Sequence, residues 1–544
     1  DAQLFEAIGP YRPGHGYVGG WKSTVYLKCT DRVLYFLGPQ VTHLTAVSAD
    51  DGRLLWRHDA KDLHIVIRDD GLYTIGPQKS TGLTHKLDPV TGKVLADFDL
   101  CRRACTRSVG TPDGIIFRTQ GGSQRLDLAT GRVQYISTMR PSCHVGVVVA
   151  GGHLHWVPWV CDCNLQMVGV IGCGPAGDFD FTAQATDGAR LETAAGGDAV
   201  KPLDAQPADW PAYRRDAART AATDVAVATD PKRLWTFAPA HPCNPTAPTA
   251  AGGLVFVAGG DGAVRALDAG TGKARWTATT GGPVRYPPSI AEGRALVGSA
   301  DGWAYCYEAA TGRRLWRFRA APQERRIRLY DTLASTWPVS SGVLVAGGTA
   351  YLAAGINNFD GTHVYALDAA TGTVRWQNST SGHLDAFSRR GVAAQGDLLL
   401  HDGRLYLAGG NAVSPGVYRA EDGECLSQAP QGWASPAPRG RELGLDGGQV
   451  RVTGQPLYAT ADARVFDRSV RWVEAVVRTA DVDLVCEERD GAWVLAARAK
   501  DGKAERWRRP LPAPPVRWGV AVDGEGRVVV ALKDGRVVCF GAGT

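Results

Sequence analysis

The sequence contains no long apolar run, no excess of one charge and no pair of adjacent cysteines. No apolar run reaches the ~18 residues that a membrane-spanning helix needs, which excludes such a helix. Sixty basic residues stand against 55 acidic ones and are scattered, so the sequence gives no support to nucleic-acid binding. No signal peptide is visible and the chain opens at Asp1. We therefore expect either an exported protein whose signal peptide has been removed or a shortened chain.

Glycine is abundant, with 67 residues, and it marks the turns of a repeated unit. The unit reads RALDAGTGKARWTA at 265–278 and recurs as YCYEAATGRRLWRF at 305–318 and YALDAATGTVRWQN at 365–378. Each copy joins an apolar strand, an acidic residue, a Thr-Gly turn and a second strand that ends in Trp, which predicts a β-hairpin. A further strand pair precedes each copy, and neighbouring copies are about 40 residues apart. This spacing predicts an all-β fold, a β-propeller of four-stranded antiparallel blades.

The repeats also predict how the chain is divided. Nine full units and one three-strand remnant can be counted, at 21–58, 62–98, 103–137, 143–174, 235–278, 283–318, 335–378, 391–427, 481–507 and 516–541. The resulting organisation is an irregular lead-in at 1–20, blades at 21–174, a linker at 175–232, blades at 233–427, an irregular insertion at 428–465, and the last blades with ring closure at 466–544.

The repeat pattern AxDxxTGxxxW resembles that of pyrroloquinoline-quinone dehydrogenases, and also that of the non-catalytic propeller lipoprotein scaffold of outer-membrane protein assembly. The resemblance covers roughly 21–170 and 235–541 and implies eight blades, fewer than the units counted. It further implies that 208–220 (ADWPAYRRDAART) opens a propeller, and that the C-terminal remnant closes the ring by accepting a strand from the N-terminal segment. The resemblance also implies that the Trp of each repeat docks between blades, as Trp56, Trp276, Trp316, Trp376 and Trp507.

The same resemblance argues against the chemistry of the quinone dehydrogenases. Their adjacent Cys-Cys pair has no counterpart here, and no Cys-x-x-Cys-His haem-attachment motif occurs. Pyrroloquinoline quinone is therefore not expected as a cofactor, since a shared fold does not transfer an activity. A narrower resemblance, carried by GGWKSTVYLKC, RRACTR, MRPSCHVG and PWVCDCN, is to secreted propeller proteins of planctomycete-type bacteria; it implies no activity.

Three cysteines occupy equivalent positions in successive units. Cys105, Cys143 and Cys243 each lie eight or nine residues before the first tight turn of their unit, at the start of the innermost strand. Because innermost strands line the axial channel, we expect these thiols to converge at one mouth of it. Other units place His64, Tyr286, Trp337 and Trp518 near that position.

More candidate metal ligands fall on the same predicted face. Cys161 and Cys163 lie in the loop between the second and third strands of the unit that contains Cys143, and His144 is adjacent. Residues two apart in a strand point the same way, so both sulfurs can face one ion. Thiolates and imidazoles suit a transition metal such as zinc, copper or iron.

Two other roles for the cysteines stay open. Disulfides between Cys101 and Cys105, or between Cys143 and Cys161, would suit an exported propeller, and a reactive thiol is a further alternative. Cysteines within strands are expected to be packing residues: Cys29, Cys306, Cys425, Cys486 and Cys539.

Candidate ligand-binding residues surround these thiols. Arg103, Arg107 and Arg140 flank them, and guanidinium groups both lower a thiol pKa and bind carboxylates; pairing with nearby acids is the alternative. Asn357 and Asp360 lie in a longer loop of the same predicted face, where they are either ligands or ordinary turn residues.

Two functional hypotheses follow. The first is a secreted or periplasmic propeller with a Cys- and His-lined funnel that binds a metal or a small redox or carbohydrate ligand, with or without enzymatic activity. The second is a non-catalytic scaffold that binds protein partners, with its cysteines in disulfides. Metal content and the number of free thiols distinguish the two.

Overall fold

The structure, a computed structural model, describes most of the chain. The described residues are 27–37, 43–59, 64–76, 84–102, 106–119, 122–137, 141, 145–157, 170–174, 187–195, 200–241, 243–329, 332–385, 390–409, 413–429, 440–453 and 474–543. The chain divides into two compact units, Asp1–Thr182 and Ala183–Thr544. No helix of the described residues has the length and apolar character to cross a membrane.

The first unit consists of short strands in sequential antiparallel sheets. Its strands are β1 (Leu27–Cys29), β2 (Val33–Leu37), β3 (His43–Ser48), β4 (Leu54–Asp59), β5 (His64–Arg68), β6 (Gly71–Ile75), β7 (His85–Leu87), β8 (Val94–Asp97), β9 (Val109–Gly110), β10 (Gly114–Thr119), β11 (Gly122–Asp127), β12 (Val133–Ser137), β13 (Val148–Ala150), β14 (His153–Trp156) and β15 (Ile171–Cys173).

These strands form three four-stranded sheets, β1–β4, β5–β8 and β9–β12, and one three-stranded sheet, β13–β15. Neighbouring sheets meet through their first strands: Lys28 Nζ donates to the carbonyl of Ile65 at 2.7 Å, and β5 contacts β9. The four sheets coincide with the four units predicted before position 175.

The second unit begins with a helical turn, α1 (Asp187–Arg190), and holds the remaining strands. They are β16 (Leu191–Thr193), β17 (Lys232–Phe237), β18 (Thr249–Ala251), β19 (Leu254–Ala258), β20 (Ala263–Asp268), β21 (Ala274–Thr279), β22 (Ser289–Ala291), β23 (Arg294–Gly298), β24 (Trp303–Glu308), β25 (Arg314–Arg319), β26 (Arg326–Leu329), β27 (Thr332–Ser335), β28 (Val343–Ala346), β29 (Thr349–Ala354), β30 (His363–Asp368), β31 (Val374–Asn378), β32 (Leu398–His401), β33 (Arg404–Leu407), β34 (Gly416–Arg419), β35 (Glu442–Asp446), β36 (Gln449–Thr453), β37 (Val476–Arg478), β38 (Val482–Arg489), β39 (Ala492–Ala499), β40 (Glu505–Leu511), β41 (Pro515–Val522), β42 (Val528–Leu532) and β43 (Val537–Gly541). Two 3-10 turns, Asn358–Asp360 and Ser381–His383, lie beside β30 and β32.

Apart from the hairpin β26–β27, the described residues of this unit form seven sheets, whose first strands are β18, β22, β28, β32, β35, β37 and β41. Successive first strands contact one another from β18 through β35, and β41 contacts both β37 and β18. The last sheet therefore packs on the first, as in a propeller. The eight-blade count implied by the resemblance stays a prediction.

The last sheet borrows its outer strand from an earlier part of the chain. β17 pairs with β43 in the order β17-β43-β42-β41. The expected closure of the C-terminal remnant thus occurs, but with residues 232–237, which directly precede the first sheet of the second unit, and not with the beginning of the chain. The predicted unit 235–278 accordingly begins with a strand that belongs to another sheet.

Two stretches predicted to lack regular structure contain strands. The insertion at 428–465 holds the hairpin β35–β36, and the linker at 175–232 supplies β16, a fifth strand on the edge of β25. Neither stretch carries the Asp-x-x-Thr-Gly sequence motif on which the repeats align, which is why the repeat pattern does not predict these strands.

The Thr-Gly turn has a specific hydrogen-bonding pattern. The carboxylate of Asp268 accepts from both the backbone N–H and the hydroxyl of Thr271, at 2.9 Å each. Gly272 has φ +71°, and a Cβ at this position would lie 2.5 Å from Trp235. Glycine is required here both by its backbone conformation and by the approach of the tryptophan. Equivalent carboxylate–Thr contacts occur at Asp88, Asp127, Glu308 and Asp368.

A tryptophan docks on the turn of the next sheet at five places, as the resemblance implies. In each case Nε1 donates to the carbonyl that follows the acidic residue: Trp56 to Pro89, Trp235 to Ala269, Trp276 to Ala309, Trp316 to Ala369 and Trp376 to Ala420. Trp507, which was also predicted to dock, is buried but makes no such hydrogen bond with the described residues. Among the described Thr-Gly turns, one lacks a tryptophan partner. Gly131 has an equivalent turn with φ +69° but nothing within 4 Å, because Ala96 stands where the preceding strand would carry Trp.

Candidate functional site

Most of the predicted metal ligands lie outside the described residues: Cys105, Cys143, His144, Cys161 and Cys163. Arg103 and Arg140 also lie outside them. The predicted convergence of cysteines around a channel mouth is therefore not tested and stays a prediction.

Cys243, the described member of that set, is a half-buried free thiol just before β18. Burial raises the pKa of this thiol, and the carboxylate of Asp261 raises it further. A raised pKa disfavours the thiolate that metals and electrophiles require. Among the described residues no group of three or more His, Cys, Asp or Glu side chains is placed to hold a metal ion.

The other described cysteines are also free. The prediction of a packing role is wrong for Cys29, which is exposed at the end of β1, whereas Cys425 and Cys486 are partly buried. Cys306 and Cys539 are fully buried, and burial raises the pKa of Cys539 to about 12. Cys101, for which a disulfide was one prediction, is a free thiol whose pKa burial raises.

Three of the predicted ligand-binding residues meet in the second unit. Trp337 Nε1 donates to the carbonyl of Asp360 at 2.7 Å, and the Asp360 N–H donates to the carbonyl of Asn357 at 3.3 Å. Arg325 lies 4.8 Å from the Trp337 ring centroid and forms an ion pair of 3.2 Å with Asp360. Arg107, by contrast, is an exposed side chain of the first unit. The predicted ligand role of Trp337, Asn357 and Asp360 stays a prediction, and their neighbour Arg325, which lies just before the inserted hairpin β26–β27, was not predicted.

The axis of the second unit is filled by the chain itself. Residues 209–225, which we call the axial segment, form backbone hydrogen bonds with the first strands of several sheets. Trp210 exchanges two with Ala250 in β18, at 2.8 and 2.9 Å. Others join Pro211 to Ile290 in β22, Ala217 to Leu400 in β32, and Ala221 and Thr223 to Arg478 in β37.

Side chains extend these contacts to two more first strands. Arg214 donates to the carbonyl of Leu443 in β35 and lies 4.1 Å from the ring centroid of Trp518 in β41. Tyr213 packs edge-on against Tyr286 at 5.2 Å. The axial segment therefore touches six of the seven first strands found in the described part of this unit.

A buried carboxylate lies beside the axial segment. Asp397 is fully buried, and its Oδ1 accepts a hydrogen bond from the Leu443 N–H at 2.9 Å. Its Oδ2 accepts none from the described residues and lies 3.7 Å from the guanidinium of Arg219. Burial raises the pKa of Asp397 to about 7, although the charges of Arg219 and Arg214 oppose the rise. Asp397 is thus a carboxyl group that titrates near neutral pH inside the core.

A second buried carboxylate is fully paired. Glu442 accepts two hydrogen bonds from Arg517, at 2.5 and 2.8 Å, and one from Trp518 Nε1 at 2.9 Å. Burial raises the pKa of Glu442, but the hydrogen bonds and charge of Arg517 outweigh it, so the net shift is downward. This carboxylate is ionised and fastens β35 to β41.

Together these residues form a structural axis. Tyr213, Tyr286 and Trp518 are each less than a tenth exposed and belong to one apolar cluster that also contains Trp210. Sequence reasoning placed Tyr286 and Trp518 near the axis, since both precede or begin first strands. It did not find Asp397 or Glu442, because single acidic residues outside the repeat motif carry no periodic signal.

The sheets, Thr-Gly turns and docked tryptophans define a β-propeller whose repeats resemble those of the pyrroloquinoline-quinone type. In agreement, the repeat-family model described as outer membrane protein assembly factor BamB matches residues 222–470. The predicted resemblance is confirmed for that part of the chain. A comparison with curated protein sequences finds no match.

Similar solved structures are distant. Quinohemoprotein alcohol dehydrogenase ADHIIG from Pseudomonas putida HK5 is 14% identical, with 65% of this chain and 74% of that chain covered and a TM-score of 0.38. The quinohemoprotein alcohol dehydrogenase of Comamonas testosteroni is also 14% identical, with 63% of this chain and 75% of that chain covered and a TM-score of 0.38. BamB from Moraxella catarrhalis is 12% identical, with 88% of this chain and 96% of that chain covered and a TM-score of 0.26. Similarities this distant carry no information about activity.

Proposed function

We propose that this protein is an exported, non-catalytic interaction propeller that binds other proteins through its outer surfaces. The observation that carries the proposal is the axial segment. It hydrogen-bonds to the first strands of several sheets, which are the strands that line the axis of a propeller.

Most polar groups on the axis are engaged in holding the fold together, although Oδ2 of Asp397 accepts no hydrogen bond from the described residues. Glu442 is neutralised by Arg517, and Arg219 donates to the carbonyls of Leu398 and Tyr213 at 2.8 and 2.9 Å. If one of these groups bound a ligand instead, its present partner would be buried without a hydrogen bond, which costs free energy. Binding is therefore assigned to the exposed sheet edges and turns.

The family match is consistent with this proposal. The description of the matching model names an outer membrane protein assembly factor. By this analogy we place the protein in the periplasm or outside the cell.

A second candidate function is a metal or small-ligand site. It would be formed by Cys105, Cys143, His144, Cys161 and Cys163 in the first unit. The grouping of Arg325, Trp337 and Asp360 in the second unit favours a polar ligand, redox-active or carbohydrate.

Photo-crosslinking combined with metal analysis tests the proposal. A photoreactive amino acid would replace either exposed Arg506 on β40 or buried Tyr286 on the axis, in the producing cell, and adducts would be identified by mass spectrometry. The proposal expects a discrete protein adduct at position 506, none at 286, and no stoichiometric metal in the purified protein. Adducts at neither position, or stoichiometric zinc, copper or iron together with free thiols, would contradict it.

A further inference from the structure

The outer edge of one sheet in the second unit carries an added strand. β16 pairs antiparallel with β25, with Leu191 opposite Phe318, Glu192 opposite Arg317 and Thr193 opposite Trp316. Glu192 forms two hydrogen bonds with Arg317, at 2.7 and 2.8 Å. The edge of a blade can therefore take an extended segment, with a charge pair that fixes its register.

The residue before this strand enters a pocket between two sheets. Arg190 is almost fully buried and lies 5.0 Å from the Phe318 ring centroid and 5.5 Å from that of Tyr365 in the next sheet. Its guanidinium donates to the Tyr365 hydroxyl and to Gln377 Oε1, at 2.9 Å each. The docked sequence Arg-Leu-Glu-Thr is thus recognised at two points. The pocket binds the guanidinium of Arg190, and Arg317 binds the carboxylate of Glu192.

The outer edge of β4 in the first unit resembles the outer edge of β25. Leu55, Trp56 and Arg57 of β4 correspond to Leu315, Trp316 and Arg317 of β25, because the two tryptophans make equivalent contacts with the next sheet. Among the described residues β4 pairs with β3 alone, so its outer edge carries no strand there. Arg57 is exposed and forms no ion pair with any described residue, whereas Arg317 is covered by Glu192.

The pocket beside this edge is repeated as well. His58 follows Arg57 as Phe318 follows Arg317, and it meets His85 of the next sheet edge-on at 5.3 Å, as Phe318 meets Tyr365. Asp97 stands opposite His85 in register, as Gln377 stands opposite Tyr365. A carboxylate thus replaces the amide oxygen that accepts from Arg190.

The composition of this pocket suits a cation even better than the occupied one. His58 Nε2 is buried and makes no hydrogen bond with the described residues. Asp97 accepts from His85 Nδ1 at 2.6 Å and is otherwise largely exposed. A guanidinium placed here would contact a carboxylate in place of a neutral amide, which strengthens the hydrogen bond.

We propose that the outer edge of β4, with the pocket formed by His58, His85 and Asp97, binds an extended segment of a partner protein with a basic, an apolar and an acidic residue in succession. The segment would add as an antiparallel strand, with its acidic residue on Arg57 and its basic residue in the pocket. This inference rests on the proposed interaction function and names a surface and a partner chemistry for it.

Peptide binding tests this inference. A labelled peptide with the sequence of residues 187–195, DGARLETAA, would be titrated into the full chain and followed by fluorescence anisotropy. We expect saturable binding that Arg57→Glu weakens about tenfold, because an attraction becomes a repulsion. A peptide in which the glutamate is replaced by arginine should recover affinity for the Arg57→Glu chain. Asp97→Asn should weaken binding through the other contact point.

The controls separate this site from others. Arg53→Glu makes the same charge change in the β3–β4 turn, away from the outer edge, and should leave affinity unchanged. Absence of saturable binding, or equal affinity for wild type and Arg57→Glu, would overturn the inference. That outcome would leave the interaction function standing if the crosslinking at position 506 still yields a discrete adduct.

Discussion

Trp235 donates a hydrogen bond of 2.9 Å from Nε1 to the carbonyl of Ala269, and thereby joins the last sheet of the second unit to its first. The same bond recurs between consecutive sheets of the repeat, but here it links residues whose strands belong to opposite ends of the unit. The last and first sheets of the second unit are therefore joined by the same contact that joins consecutive sheets.

Trp235→Phe should destabilise the second unit by about 1–3 kcal/mol, because the buried Ala269 carbonyl loses its donor. Chemical denaturation followed by circular dichroism would measure the shift in midpoint. The matched control is Trp507→Phe, which removes the same volume from a buried tryptophan whose Nε1 has no hydrogen-bond partner in the described structure. Equal shifts for the two variants would show that the hydrogen bond contributes nothing.

Gly272→Ala should be more destabilising than an ordinary glycine substitution at positive φ. Its Cβ would lie 2.5 Å from Trp235, so a steric term of about 1–3 kcal/mol adds to a backbone term of about 1 kcal/mol. Gly502→Ala provides the control, since Gly502 has φ +69° and nothing within 4 Å. Thermal unfolding of both variants checks the difference, and a smaller loss at position 272 than at position 502 would refute the docking account.

Asp397 should make stability depend on pH. Burial raises its pKa to about 7, so between its ordinary pKa near 4 and pH 7 the folded protein binds a proton that the unfolded chain has lost. The free energy of unfolding contributed by this group therefore falls as pH rises through that range and levels off above it.

Asp397→Asn keeps an acceptor for the Leu443 N–H and removes the titration. We expect the melting temperature of wild type, relative to this variant, to decrease between pH 5 and pH 8. A constant difference across that range would show that Asp397 does not titrate there.

Thiol accessibility should separate the described cysteines into two classes. Exposed Cys29 should react with a thiol reagent in the native protein, whereas Cys306, Cys486 and Cys539 should react only after denaturation. Burial raises the pKa of each of these three thiols, which disfavours the reactive thiolate. Labelling followed by peptide mapping checks this, and rapid native labelling at Cys306 would contradict the packing around it.

The sequence was sufficient to predict the repeated unit but not the contacts on the axis of the second unit. The Asp-x-x-Thr-Gly turn and the docking tryptophans are local and periodic, so the repeat pattern alone indicates the roles of Gly272 and Trp276. It does not indicate β16 or the hairpin β35–β36, because their pairing depends on edges supplied by distant parts of the chain. The axial carboxylates are set by tertiary contacts: Asp397 interacts with Arg219, which lies far from it in sequence.

The candidate ligand residues illustrate the same limit. Trp337 was proposed from alignment on a common strand position and Asp360 from a longer loop of the same predicted face, and the two contact one another. Their partner Arg325 belongs to an insertion that has no counterpart in the other repeats, so no alignment of units could have pointed to it.

Hydrogen exchange of the axial segment tests the central claim most directly, namely that this propeller fills its own axis and binds elsewhere. Peptides covering residues 209–225 would be followed by mass spectrometry in the native protein. The account predicts that the amides of Trp210, Ala221 and Thr223 are protected as strongly as those of β19, since each is hydrogen-bonded to a first strand or held within the axial segment. Complete exchange of this segment within seconds, while β19 remains protected, would contradict it.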